Sequence, residues 1–136
     1  MLETMLRTDS MSSNLPAKPG TLRVLATRYR GRFLPTSAYD IWMPNLGPSE
    51  TLLQNILKER ISWAEFKRTY TREILDAEAT GDRRNRTIKN HGQKFTLRLL
   101  AQLAKNTDVV LLCHCAPDAK QCHRFVLEQL IRKHAK

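Results

Sequence analysis

The stretch DVVLLCHCAPDAKQCHRFVLEQLIRK, residues 108–133, changes its hydrophobic period once, and that change decides the fold. Asp108 precedes VVLLC, a short apolar run of the kind that forms a strand buried on both faces of a parallel sheet. From about Cys122 to Lys133 the pattern becomes helical, with Val126, Leu127, Leu130 and Ile131 on one side. A buried strand therefore ends at Cys113, and a helix begins about nine residues later. Ligands of parallel α/β sheets bind outside the carboxyl ends of the strands. The helix start points its free N–H groups at the same place, which attracts anions and favours a thiolate.

All three cysteines of the chain lie in this corner, together with His114, His123 and Arg124. Four readings stay open on the residues alone. Cys113, Cys115, Cys122 and His123 could supply four zinc ligands, although C-x-C-x6-C-H is not a usual structural zinc spacing. Cys122, at a helix start beside Arg124, could be a reactive thiol. The phosphatase-type loop, with Cys and Arg at the two ends of one backbone cradle, is not encoded: Cys113 stands eleven positions from Arg124 and Cys122 two. Arg124 could instead bind a phosphate or carboxylate in a pocket that the cysteines shape. In the fourth reading Cys113 is a small core residue, His123 satisfies a carbonyl and Arg124 pairs with an acid.

Upstream, TLRVLAT (residues 21–27) alternates as a strand does, with Leu22, Val24 and Ala26 on one side. A long loop broken by Gly31, Pro35, Pro44, Gly47 and Pro48 follows; Tyr39 to Met43 is the part that could add a further strand. Ser49 caps a helix carrying Leu52, Leu53, Ile56 and Leu57. Ser62-Trp-Ala-Glu65 is a capping box opening a helix with Trp63, Phe66, Tyr70 and Ile74 on one face. A basic connector, residues 81–94, leads to a helix from about Phe95 to Lys105 expected to bury Phe95, Leu99 and Leu103. Strands near both ends with helices between them make an α/β domain, two-layer or three-layer, with a mostly parallel sheet and flanking helices. Residues 1–20, rich in Ser, Thr, Pro and Gly, read as a disordered tail ahead of a domain spanning 21–136, with Met1, Met5 and Met11 all usable as starts.

Lys plus Arg total 23 against 13 Asp plus Glu, a net charge of +10, so polyanions are the first partners to consider. No segment approaches a membrane span and none resembles a signal peptide, so no membrane partner is expected and the expected compartment is the cytoplasm. Reduced thiols suit that compartment, and an odd cysteine count argues against a disulfide framework. Oligomeric state is not legible.

VVLLCHCAPDAKQCHRFVLEQL resembles the terminal motif of the DUF488 family, in which an apolar strand ends in Cys and Cys-His-Arg opens a helix. The matching positions here are Cys113, Pro117, Asp118, Cys122, His123 and Arg124. WMPNLGPSETLL, WAEFKRTYTREIL and TRYRGRF resemble the family's upstream segments, so the likeness runs from about Leu22 to Ile131. The resemblance implies an α/β domain with the Cys-His-Arg corner next to the first strand's loop. It implies little about the reaction, since the family is named for unknown function.

Two functional expectations follow. The first is an enzyme acting on a nucleotide, nucleic acid or other phosphorylated substrate. Cys122, His123 and Arg124 would be catalytic; Arg28, Tyr29, Arg30 and Arg124 would hold the anion, with Tyr39 and Trp42 as further walls; Cys113 and Asp118 would shape the corner. This version demands no cofactor. The second is a non-enzymatic nucleic-acid-binding module tracking phosphates with Arg83, Arg84, Arg86, Lys89, Lys94 and Arg98, its cysteine corner structural or zinc-bound.

Overall fold

The structure is a computed structural model and describes residues 5–13, 15–31, 33–75, 93–116 and 118–133, with the backbone alone at residues 93–95. Four strands form one all-parallel sheet: β1 (Leu6–Ser10), β2 (Thr21–Leu25), β3 (Ile41–Trp42) and β4 (Asp108–Cys113), in the order β1-β4-β2-β3. Among the described residues four α-helices accompany them: α1 (Glu50–Leu57), α2 (Trp63–Leu75), α3 (Gln93–Leu103) and α4 (His123–Lys133).

VVLLC takes an inner position of the sheet, as its apolar run requires, and all five of its residues are buried. Its side chains divide between two cores. Val109 and Leu111 join Val24 and Ala26 against apolar residues of all four helices. Val110 and Leu112 join Leu25 on the other face, covered by Met11, Leu15, Leu34 and Tyr39 from loops and turns. The domain thus has two layers, with helices on one face and connecting segments on the other.

The helices begin where the sequence places them. Ser49 Oγ accepts the Leu52 N–H at 3.2 Å, and Ser62 Oγ accepts the Glu65 N–H at 3.1 Å. Trp63, Phe66 and Tyr70 stack in series along α2, with ring centroids 5.1 and 5.8 Å apart. The expected extra strand forms at Ile41–Trp42.

Two readings need correction. The expected tail contributes β1, which pairs with β4 from Leu6↔Val109 to Ser10↔Cys113. Only Leu6 and Ser10 of LRTDS are buried, because an edge strand has one flank and much of its surface in water, so no apolar period betrays it. In α3 the buried positions are Leu97, Leu100 and Ala101, followed by Ala104 just past its end, while Leu99 and Leu103 are exposed. The alanines complete the inward stripe at helical spacing and let α3 approach its neighbours; reading leucines alone misplaced its phase. Phe95 lies outside the described side chains.

Candidate functional site

Parallel register brings three strand ends to one edge. Ser10 lies beside Cys113, Leu25 beside Leu112, and the Ala26 N–H continues the ladder to the Leu112 carbonyl at 2.9 Å. The β4–α4 turn folds back over this edge, and the Ser10 hydroxyl donates to the Cys115 carbonyl. Cys113 at the strand end, Cys115 in the turn and Cys122 just before α4 thereby converge, with all three sulfurs within 4.8 Å of one another. The Cys122 thiol donates to Cys113 Sγ at 3.2 Å, and the three cysteines are free of disulfides. Cys113 and Cys122 are buried; Cys115 is half-buried and forms the outward side of the trio.

Arg124, buried to 3% exposure, donates from Nη1 to Cys113 Sγ at 3.3 Å and lies over the Phe125 ring. It also contributes to the field at Asp9, whose carboxyl is raised by burial but more than offset by hydrogen bonds from Ser13 and Ser10 and by the positive charge nearby. The three thiols share their acidity. Hydrogen bonds from Cys113 and Cys122 draw the Cys115 thiol well below the ordinary range, to about 3. Hydrogen bonding to Cys115 holds Cys113 up, and hydrogen bonding to Cys113 and Cys115 holds Cys122 up. Arg124 donates to Cys113, and its charge also favours the Cys115 thiolate, so the first proton lost belongs to the cluster more than to one atom.

His123 lies between the end of β2 and Cys122. Its Nε2 lies 2.5 Å from the Ala26 carbonyl and must carry the hydrogen, since a carbonyl only accepts. Nδ1 is then the bare nitrogen, 3.8 Å from Cys122 Sγ. The ring stands edge-on to Tyr70, 5.7 Å between centroids, and burial pushes its pKa down. His123, the fourth ligand in the zinc reading, has its Nε2 tied to the end of β2 and stands outside the group of three sulfurs, touching it only at Cys122.

The guanidinium groups expected around one anion address separate acceptors. Arg28 donates to the Pro48 and Gly47 carbonyls, at 2.9 and 3.2 Å. Arg30 reaches the Leu34 carbonyl at 2.9 Å and the Tyr39 hydroxyl at 3.5 Å. Tyr29 is exposed; its carbonyl accepts from Thr27 Oγ1 and faces His114 Nε2. The Trp42 indole donates to the Thr27 carbonyl. Asp118 stands exposed in the turn. Of the expected phosphate-tracking residues, Arg98 is exposed on α3, and Arg83, Arg84, Arg86, Lys89 and the Lys94 side chain lie outside the described residues, as does Pro117.

Sequence reasoning missed Ser10 and Asp9, because β1 was read as a tail. It also passed over a buried brace behind the site. Glu73 accepts from the Ser49 N–H at 2.9 Å and the Ser49 hydroxyl at 2.5 Å, and Tyr70 donates to the Leu46 carbonyl at 2.5 Å. The brace seats the Leu46–Ser49 loop against the Thr27–Arg28 backbone. A Glu one helical turn beyond an inward Tyr was the signal for it.

A family model described as the active DUF488-N3 subclade, DUF488-N3a, matches residues 6–135. No curated protein and no solved structure matches the chain.

Proposed function

This chain belongs to the DUF488 family, and from that premise we propose that its thiol corner is a zinc-thiolate centre serving chemistry on a phosphorylated or otherwise anionic substrate. The observation that carries the reading is the convergence of Cys113, Cys115 and Cys122 within 4.8 Å. A tetrahedral zinc ion with Zn–S bonds of about 2.3 Å sets its sulfurs roughly 3.8 Å apart, within the range this trio already spans. Three protein ligands leave a fourth position open, the arrangement of catalytic and not of structural zinc. An ion there would lower the pKa of a bound water or polarise a substrate oxygen.

The Cys-His-Arg triplet then has divided roles. Cys122 is a ligand. Arg124 offsets the surplus negative charge of three thiolates on a divalent ion, through its contact with Cys113. His123 positions the end of β2 under the site. The description of the matched subclade as active supports chemistry over a purely structural ion.

The test is metal content of tagless protein, with thiol titration on the same sample. Near-stoichiometric zinc, with three thiols that react only after chelation and zinc lost from Cys115→Ser, is the expected result. Absence of zinc uptake with one fast-alkylating thiol at Cys115 would replace the metal by nucleophilic thiol chemistry. Absence of uptake with three inert thiols would reduce the corner to structure.

A further inference from the structure

A second feature lies away from the thiols. Helices α2 and α4 enclose an open groove of about 720 Å³. Lys67, Arg68 and Arg72 line the α2 wall and Lys133 the α4 wall, all four exposed, and among the described residues no carboxylate lines it. Among the described residues none of the four is paired with an acid. The three carboxylates of these helices lie elsewhere: Glu128 accepts Arg132 at 3.0 Å, Glu73 is buried against Ser49, and Glu65 lines a separate cavity between α1 and α2. The apolar floor is Ala64, Val126 and Leu130, and the large exposed hydrophobic side chains of the protein all lie outside the groove.

We propose that this groove seats the sugar-phosphate backbone of duplex DNA. An amphipathic helix from a protein partner would need large apolar anchors to bury, and the groove offers none. A lipid surface would need apolar side chains protruding from a convex face, not cations along a concavity. Single strands are held by stacking on aromatic rings, and none lines the groove. Duplex RNA is gripped through its 2′-hydroxyls, yet the uncharged polar lining is only Thr71, whose hydroxyl is spent on the Lys67 carbonyl, and Gln129. Positive charge on two walls remains, and it fits a ridge of phosphates. The α2 wall from Ala64 to Lys67, Arg68 and Arg72 extends roughly 12 Å along its helix. One strand of a duplex carries a charge every 3.4 Å or so of axis but winds around it, so its phosphates are about 6–7 Å apart along the backbone itself and about two to three of them face the four cations.

The experiment is fluorescence anisotropy of a short labelled DNA duplex of arbitrary sequence, titrated with full-length protein across a salt series. Wild type binds, with a log–log salt slope near −0.9 per phosphate contact, about −2 to −3 in all. Arg68→Glu/Arg72→Glu weakens binding on the order of tenfold or more and lowers the slope by about 2. Lys58→Glu/Arg60→Glu, of equal net charge but at the far end of α1, leaves affinity nearly unchanged. Lys67→Ala/Lys133→Ala is the milder groove variant should the charge reversal disturb the fold. Equal losses in the groove and control variants would overturn the proposal, since only global charge would then be at work. So would a wild type that ignores DNA, binds anionic phosphatidylserine vesicles instead, or prefers duplex RNA. The groove shares no residue with the thiol corner, so the two readings stand or fall separately.

Discussion

Gly47 shows how tightly the site's flank is built. Its φ of −79° suits any residue, but a Cβ there would lie 2.2 Å from the Arg28 nitrogen and 2.7 Å from the Thr27 carbonyl carbon. Those contacts are backbone and cannot swing away, so Gly47→Ala must part the loop from the β2 end. We expect a loss of about 1–3 kcal/mol or more, read from the urea midpoint. The thiols divide by burial in the same way. Compared as zinc-free proteins, Cys113→Ser places a hydroxyl at a fully buried position and should cost about 1–3 kcal/mol, whereas Cys115→Ser, half-buried, should leave stability nearly unchanged; with zinc present, Cys115→Ser should also forgo the stabilisation that the bound ion gives. A Cys115→Ser protein that keeps its zinc would remove that residue from the ligand set. The residue types of this corner were legible in the sequence. Their partners were not, because His123 and Arg124 are adjacent in the chain yet leave the start of α4 in different directions, one to Ala26 and Tyr70, the other to Cys113.

At the scale of elements, α3 and β1 carry the informative departures. If the inward stripe of α3 is Leu97, Leu100, Ala101 and Ala104, Leu97→Ala should cost about 2–5 kcal/mol. Leu99→Ala, at 53% exposure, should fall within roughly 0.5 kcal/mol of wild type. A reversed order in thermal melts would restore the leucine-only phase. β1 matters for the site as well as for the sheet. A chain starting at Met11 loses the pairing to β4 and the Ser10 hydroxyl that holds the Cys115 carbonyl. Such a truncation should unfold more readily and expose its thiols to faster alkylation than the full chain; equal alkylation rates would make β1 dispensable to the corner. Helix starts were readable because a capping Ser is a local signal. An edge strand of mixed polarity was not, because its stability comes from a partner about a hundred residues away.

For the molecule as a whole, a net charge of +10 makes the acidic side chains the scarcer group. Hydrogen bonds from Arg23 draw the Asp40 carboxyl down, and hydrogen bonds from Arg7 do the same for Asp108. A carboxyl depressed in the folded state contributes stability above its unfolded pKa, near 3.9, and loses it as pH falls through the folded value. Unfolding midpoints should therefore drop as pH falls below about 4, and Asp40→Asn should flatten part of that drop while lowering the midpoint at neutral pH. An unchanged acid profile in Asp40→Asn would show that the Arg23–Asp40 pair, at 3.1 Å, adds nothing to folding. Among the described residues no helix is long and apolar enough to cross a membrane.

By itself, the sequence determined the class of fold, the helix caps, the inward faces of α2 and α4 and the residues of the thiol corner. Each is written locally, in the two-residue period of a strand, the spacing of a helix turn or a capping hydroxyl. Tertiary structure alone decided that β1 pairs with β4, that the three sulfurs meet while His123 Nε2 is held by the end of β2, that Arg28 and Arg30 serve loop carbonyls, and that cations of α2 and α4 face one groove. These depend on register and on helix docking between segments far apart in the chain. A local pattern carries the direction of its own side chains but not the identity of what lies opposite them.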